Sequence, residues 1–262
     1  MSENLLIEVA RCPVVQSCLG GRDDRHPCAA IVASQGSTSS AEHQVPEPWS
    51  GEIDKSPLLF ISSNPSISDR DVFPTGDWPD ECIVDFFTHR FGGGQRQWIK
   101  SGTKGLLRDG AYGRSTMFWA GIRQRAIELL QRDVVPGVDY ALTEVVHCKS
   151  RSERGVAEAS ATCAARYLRR VVGATYAPIV IVLGARARQS VTSEFGIPSD
   201  AAIYGPTEIA GKPRIVAFLP HPNARAPRTF EACLADLELR TIRAFLRVSG
   251  RVGSEPDGGP SA

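Results

Sequence analysis

The stretch Leu58-Leu-Phe-Ile-Ser-Ser-Asn64-Pro65-Ser66 decides the fold of this chain. Its apolar half is typical of a buried strand, which breaks abruptly into a polar turn containing proline. The stretch Arg214-Ile-Val-Ala-Phe-Leu-Pro-His221-Pro222-Asn223 has the same pattern. Because open parallel sheets bind their ligands at the carboxyl ends of strands, we expect Asn64 and His221 to form a polar site at one edge of a sheet.

Strand and helix patterns alternate along the chain between and around these two stretches. Apolar runs predict four strands, over Leu58–Ser62, Tyr140–His147, Pro178–Leu183 and Ile215–Leu219. Apolar residues at helical spacing predict helices near Leu5, around Phe86, over Thr116–Arg132 and Val156–Val172, from Gly184 onward and over Arg228–Val248. This alternation predicts an α/β fold with three α/β/α layers and a central, mostly parallel four-stranded sheet.

Chain organisation follows from the segments between these elements. We expect residues 1–249 to form one domain, in which 1–57 is an N-terminal cysteine-bearing segment followed by a surface loop. Residues 92–115, with scattered Lys and Arg and little periodicity, predict a second loop. The Gly-, Ser- and Pro-rich tail over 250–262 is typical of disorder.

Length and composition indicate a globular protein. The chain has 262 residues, of which 42% are hydrophobic and 23% charged, enough for one large core. A net charge of +1 excludes a histone-like polycation but allows a local basic groove. No apolar run is long enough to predict a membrane span, and the acidic Met-Ser-Glu-Asn start lacks the basic flank of a signal peptide. Seven cysteines in such a chain indicate buried thiols, a metal or an iron–sulfur cluster rather than disulfides.

The Asn-Pro and His-Pro motifs resemble those of the uracil-DNA glycosylase superfamily. There, a Gly-x-(Asn/Asp/Glu)-Pro-like turn after a strand positions the attacking water, and a His-Pro loop stabilises the leaving base and touches DNA. The resemblance implies that Asn64 and His221 are catalytic. Ser62 stands where the family has Gly, and Asn223 replaces a small residue. Each dipeptide alone also fits an ordinary turn; both together, each directly after a strand, indicate a site.

The same resemblance implies a set of base-binding residues. Phe73 would stack under an extruded base, and Ser63 and Pro65 would line its pocket. Glu144 stands where the iron–sulfur branches carry an Asn that reads uracil. An ionised Glu only accepts hydrogen bonds, so unless protonated it would reject uracil and favour a deaminated purine or an adducted base. The alternatives are that Phe73 is an ordinary loop aromatic and that the Glu144 carboxylate forms a structural ion pair.

Two downstream cysteines add to the resemblance. Cys148 follows a predicted strand and Cys163 lies on the next helix, with fourteen residues between them, as in the iron–sulfur branches. Those branches also carry an N-terminal Cys-x-x-Cys, for which this chain has only a Cys-Pro at Cys12. The resemblance implies a [4Fe–4S] cluster on Cys12, Cys28, Cys148 and Cys163, with Cys18 as the alternative to Cys28. A structural zinc on the same thiolates and buried free thiols are the other interpretations.

Basic residues near the predicted sheet edge suggest DNA contacts. Arg225 and Arg228 follow the His-Pro motif and suit phosphates; with Pro222 and Asn223 they form the predicted DNA-binding loop. The Lys149–Arg154 stretch is also basic, although ordinary solvation is the alternative for most of these side chains. The expected partner is DNA with a damaged base. We expect a monomer in the cytoplasm, associated with the nucleoid and without membrane contact.

These features predict a DNA glycosylase-like base-excision repair enzyme that hydrolyses the N-glycosidic bond of a damaged or deaminated base. Its first motif contains no lysine to form a Schiff base, so we expect a monofunctional enzyme. The alternative is a nucleic-acid-binding protein with a glycosylase fold and altered catalysis. A nucleotide-handling enzyme is a third interpretation, weakened by the lack of a phosphate-binding glycine fingerprint.

Overall fold

A mixed six-stranded sheet lies at the centre of the structure, a computed structural model that describes residues 2–252. The strands of the described part of the chain are β1 (Trp49–Ser50), β2 (Leu58–Ser62), β3 (Ile99–Lys100), β4 (Lys104–Gly105), β5 (Tyr140–Glu144), β6 (Ile179–Leu183), β7 (Ile203–Ile209) and β8 (Lys212–Leu219). The order across the main sheet is β1-β5-β2-β6-β8-β7, and β3 pairs with β4 separately.

Helices connect and cover these strands. Over residues 2–252 they are α1 (Ser2–Ala10), α2 (Pro13–Cys18), a 3-10 turn (Leu19–Gly21), α3 (Ala29–Ala33), α4 (Asp80–Thr88), α5 (Met117–Leu130), α6 (Val156–Cys163), a π-helical stretch (Ala164–Leu168), α7 (Arg169–Ala174), α8 (Ala185–Phe195), α9 (Phe230–Cys233) and α10 (Asp236–Val252). None of the helices within this range is both long enough and apolar enough to cross a bilayer.

The four predicted strands are confirmed as the parallel centre of the sheet. Strand β2 pairs in parallel with β5 and β6, and β6 pairs in parallel with β8. The predicted strand number is wrong, because β1 and β7 add an antiparallel edge on each side and make six strands. Strand β7 contains Gly205 and Pro206, which argue against a strand in sequence but are tolerated at a sheet edge.

Side chains of the central strands alternate between two apolar clusters. Leu59, Ile61 and Val180 belong to the cluster that contains α1, α3, α4 and α8, whereas Phe60 and Ile181 belong to the cluster that contains α5 and α10. Each face of the sheet is therefore packed against helices, which explains why the central strands are continuous apolar runs.

Three local predictions differ from the structure. Residues 43–51, expected in a surface loop, are buried because this stretch runs along β5 and ends in strand β1. The predicted helix over Arg228–Val248 is broken at Leu234, whose extended backbone separates α9 from α10. The predicted tail begins too early, since α10 continues to Val252; residues 253–262 lie outside the described part of the chain.

Arg214 ties strand β8 to the end of α7 from a fully buried position. Its guanidinium donates to the carbonyls of Ala177 at 3.0 Å, Val172 at 2.8 Å and Thr175 at 2.8 Å, and also to that of Ile209. A buried charge costs free energy unless it is hydrogen-bonded. Here one side chain donates to four backbone carbonyls at the end of α7, before β6 and at the end of β7.

Replacing Arg214 with methionine is expected to lower the free energy of unfolding by about 3–5 kcal/mol, because four buried carbonyls lose a charged donor. Urea denaturation followed by circular dichroism measures this change. The matched control is Arg240→Met on the exposed side of α10, which we expect to change stability by less than about 0.5 kcal/mol. Equal effects of the two substitutions would contradict this role of Arg214.

Candidate active site

The loops after β2 and β5 remain paired beyond the ends of the strands. Val145 and Val146 donate backbone hydrogen bonds to the carbonyls of Ser62 and Ser63, both at 2.9 Å. Further along, the backbone of Ser150 accepts from Ile67 at 3.1 Å and donates to the Pro65 carbonyl at 3.1 Å. The Asn-Pro turn therefore lies on a hydrogen-bonded platform and not on a free loop.

A cleft of about 510 Å³ opens above this platform, at the carboxyl ends of the parallel strands. It is lined by both predicted catalytic residues and by four other predicted site residues, Ser63, Pro65, Glu144 and Asn223. We call it the Asn64–His221 cleft. The structure thus brings together side chains from the loops after β2, β5 and β8, as the position of the two motifs predicts.

Asn64 is held in one orientation by its amide nitrogen. Nδ2 donates to the Ser150 hydroxyl at 2.8 Å and to the Pro65 carbonyl at 3.0 Å. Because both amide hydrogens are engaged, Oδ1 is the atom left to accept a hydrogen bond from a water molecule. Ser150 was not predicted as a site residue; its only sequence signal is its place just after the β5 strand.

His221 enters the cleft as a neutral imidazole. Its Nδ1 accepts from the backbone N–H of Asn223 at 3.2 Å, which leaves the proton on Nε2. Burial, and then the charge of Arg125, lower the pKa of His221 below its usual 6.5. The ring of Phe118 stacks on the imidazole, with 5.3 Å between ring centroids and 21° between planes. The imidazole is therefore a fixed neutral donor at neutral pH.

Helix α5 holds the His-Pro loop at three points. A Cβ on Gly121 would lie 2.9 Å from Cβ of Pro222, so only glycine permits this contact between helix and loop. Arg125 Nε donates to the Arg228 carbonyl at 2.9 Å. The Glu128 carboxylate accepts from the backbone of Phe230 and of the next residue, at 2.7 and 2.8 Å. The position of His221 is therefore set by α5 as well as by β8.

Glu144 carries a buried carboxyl group at the floor of the cleft. It forms no ion pair with any described residue, and its Oε2 has no hydrogen-bond partner there. Burial, followed by the nearby negative charge of Glu47, raises the pKa of Glu144 well above 4.5, against opposing effects of Ser62, Arg90 and Lys149. The surroundings of the carboxyl therefore favour its protonated form, and the ion pair weighed for it in the sequence does not form.

Phe73 does not line the cleft, so its predicted stacking position is wrong. Its ring is 4% exposed and packs edge-on against Phe86 and Phe87 in the core. Nζ of Lys149 lies 3.6 Å from the ring centroid, and burial lowers the pKa of that lysine to about 8. An aromatic residue in a loop can face either the site or the core, and sequence does not separate the two. The aromatic rings that line the cleft are those of Phe118 and Trp119.

The predicted DNA-contact residues divide into exposed and buried ones. Arg225, Arg228 and Asn223 are exposed on the loop after β8, and Asn223 also lines the cleft. Pro222 is buried against Gly121, so its predicted contact with DNA is wrong and it supports the loop instead. In the Lys149–Arg154 stretch, Lys149 is buried and Arg151 is paired with Asp69 at 2.6 Å.

Four of the seven cysteines line one small apolar pocket on the other side of β5. They are Cys12 at the start of α2, Cys28 before α3, Cys148 after β5 and Cys163 at the end of α6. Burial, and then neighbouring thiols, raise the pKa of Cys28 to about 11 and raise that of Cys148 well above its usual value. Cys18 is buried but does not line this pocket, so of the two predicted alternatives Cys28 is the one that the fold brings to it.

The distances between these thiols limit which metal ion or cluster they could hold. Within residues 2–252, no three Cys, His, Asp or Glu side chains are close enough to hold a single metal ion. A tetrahedral zinc site brings its sulfurs to within about 3.8 Å of each other, given zinc–sulfur bonds of about 2.3 Å. A four-iron cluster is larger and holds its four thiolates further apart. Four thiols around one pocket, none in a disulfide, are the type of donor that both groups use.

Two further cleft residues, Glu47 and Arg90, were missed by the sequence analysis. They form a buried ion pair beside Glu144, and the hydroxyl of Ser50, outside the cleft lining, is hydrogen-bonded to both. Their segments carry no motif, and only the fold brings them together. Comparison with protein-family models and with curated proteins finds no match to this chain.

Proposed function

We propose that this protein is a DNA glycosylase that hydrolyses the N-glycosidic bond of a deaminated base. The observation that carries the proposal is the meeting of Asn64, His221 and protonated Glu144 in one cleft at the carboxyl ends of the parallel strands. The resemblance of the two motifs to the uracil-DNA glycosylase superfamily, and of the α/β architecture to its three-layer fold, supports the same proposal.

Asn64 and His221 divide the reaction between two sides of the scissile bond. The bond between the base nitrogen and the sugar C1′ breaks, and its electron pair leaves with the base. The Nε2–H of His221 donates to the oxygen on which negative charge develops. Oδ1 of Asn64 orients a water whose oxygen bonds to C1′ and whose proton passes to solvent. An amide is too weak a base to drive direct displacement, so this site suits a dissociative, oxocarbenium-like transition state.

Glu144 in its protonated form is compatible with a deaminated base. A carboxylic acid presents one donor and one acceptor side by side, as the Asn of the resembled family does. This pair is complementary to a lactam edge, in which a carbonyl lies beside a ring N–H. Deamination creates that edge in uracil, hypoxanthine and xanthine; guanine and thymine carry it as well, so Glu144 alone does not select the base. The sequence-based expectation against uracil assumed an ionised Glu, which the burial of Glu144 disfavours.

A [4Fe–4S] cluster is proposed for the pocket lined by Cys12, Cys28, Cys148 and Cys163. Bound there, it would supply covalent cross-links between segments that are distant in sequence. No step of base release is assigned to it. These residues would hold the N-terminal helices against the end of β5, which continues into the loop that carries Ser150.

Base release from oligonucleotides tests the proposed reaction. Single- and double-stranded oligonucleotides carrying uracil, hypoxanthine, xanthine or mismatched thymine are incubated with the protein, and abasic sites are cleaved with alkali. We expect release of at least one deaminated base, with kcat lowered at least about 100-fold by Asn64→Ala or His221→Ala. Ser150→Ala should lower kcat about tenfold, because it frees the Asn64 amide to rotate.

Lys55→Ala, a substitution of an exposed lysine away from the cleft, is the matched control and should match the parent. No release of any base by a folded protein that binds DNA would overturn the enzyme proposal. That result would favour the nucleic-acid-binding protein with altered catalysis.

The protonation state of Glu144 gives a pH prediction. Its pKa is raised, so the donating acid form persists to higher pH than in an exposed glutamate and is lost as pH rises through that pKa. We therefore expect kcat/KM to fall on the alkaline side. Glu144→Gln keeps a donor and an acceptor but cannot ionise, so it should retain activity and shift or remove the alkaline fall. Identical profiles of parent and Glu144→Gln would contradict protonated Glu144 as the base-reading group.

Visible absorption and iron content of anaerobically purified protein test the cluster. We expect the broad band of an iron–sulfur centre and about four irons per chain, both largely lost in Cys163→Ala. Cys82→Ala on α4, outside the pocket, is the matched control and should keep both signals, as should Cys18→Ala. Zinc in place of iron, or equal iron in the Cys82 and Cys163 variants, would contradict this assignment.

A further inference from the structure

A chain of hollows leads away from the Asn64–His221 cleft along the segment 96–116. A chamber of about 740 Å³ shares Asp71, Arg90, Thr116 and Trp119 with the cleft. A third hollow of about 330 Å³ shares Tyr112 and part of the same wall with the chamber. We call the chamber and the third hollow the basic groove. Its volume is well beyond what one flipped base requires.

The segment 96–116 is strongly basic and its cations are free. The segment contains one carboxylate, Asp109. Its basic side chains are all exposed, and they are Arg96, Lys100, Lys104, Arg108 and Arg114. None of them forms an ion pair with a described residue. Elsewhere in residues 2–252, surface arginines do form ion pairs with carboxylates. Arg70 adds another positive charge to the chamber and Asp71 a negative one. An unpaired basic surface of this kind attracts a polyanion.

Aromatic faces are interleaved with these cations. Tyr112 is 37% exposed, and its hydroxyl donates to the Gln97 carbonyl at 2.7 Å, which holds the ring in place. Nζ of Lys100 lies 5.3 Å from that ring centroid. Trp98 and Trp119 line the same chamber. A groove that combines cations with flat rings is typical of single-strand binding, because unpaired bases expose faces that stack and a duplex hides them.

We propose that the basic groove binds the single-stranded DNA that flanks the nucleotide held in the Asn64–His221 cleft. Arg96, Arg108 and Arg114, which line the groove, contact its phosphates, and Tyr112 stacks on one of its bases. The groove explains the composition of segment 96–116, to which sequence analysis assigned only a loop. This inference rests on the proposed DNA partner but not on base release.

Equilibrium binding of undamaged DNA tests the groove without any reaction. The full-length protein is titrated into a fluorescein-labelled 20-nucleotide oligothymidine, and separately into a duplex of equal length, over a range of salt concentrations. We expect tighter binding of the single strand. Arg96→Ala/Arg108→Ala/Arg114→Ala should weaken it at least tenfold and reduce the slope of log K against log salt by about two, since each phosphate contact contributes about 0.7.

A charge-matched triple variant is the control. Arg22→Ala/Arg240→Ala/Arg247→Ala removes the same charge from exposed positions outside the cleft and groove, and it should weaken binding less than threefold. Tyr112→Ala should weaken binding several-fold, and Tyr112→Phe should bind like the parent because it keeps the ring. Thermal melting checks that each variant is folded.

Equal losses in the two triple variants would show an effect of net charge alone and overturn the inference. Tighter binding of the duplex would overturn it as well. A protein that releases no base but shows the expected pattern of binding would refute the glycosylase proposal and leave the groove supported. Failure of the groove inference and failure of the glycosylase proposal therefore give different results.

Discussion

Backbone pairing that continues past the ends of β2 and β5 is the constraint on which the rest of the site depends. Two parallel strands normally separate at their carboxyl ends, but here their loops stay joined up to Ser150. That junction sets the amide of Asn64 and brings Glu144 beneath the same cleft. On the opposite side of the cleft, the absence of a side chain at Gly121 lets α5 pack directly against the His221 loop. The two catalytic candidates thus approach each other from separately fixed supports.

The charges beneath the cleft are arranged so that one acid is hard to ionise. Glu47 is paired with Arg90, and its negative charge acts with burial against ionisation of Glu144. Two carboxyl groups of the same chemical type thus have different surroundings, one with a cationic partner and one without. In its protonated form Glu144 can donate a hydrogen bond, whereas an exposed, ionised glutamate can only accept one.

The central strands and the order of the motifs could be predicted because a strand buried on both faces must be apolar throughout, as Pro178–Leu183 is. Strand β7 was not predictable, since Gly205-Pro206 interrupts its pattern and only an edge position tolerates them. The core position of Phe73 and the ion pair of Glu47 with Arg90 depend on packing between distant segments. The Asn64–His221 pair was accessible from sequence because each follows a strand directly. The state of Glu144 was not, because it follows from burial.

The thiol pocket has a consequence for how the chain is made. Its two N-terminal members precede Cys163 by long stretches, with 150 residues between Cys12 and Cys163. At ribosomal rates of about 5–20 residues per second, the first thiol is exposed for roughly 8–30 s before the last one is synthesised. During that interval the pocket around Cys12 and Cys28 is incomplete, because two of its four thiols have not yet been made. The surroundings of the first thiols are therefore completed only after more than half of the chain has been synthesised.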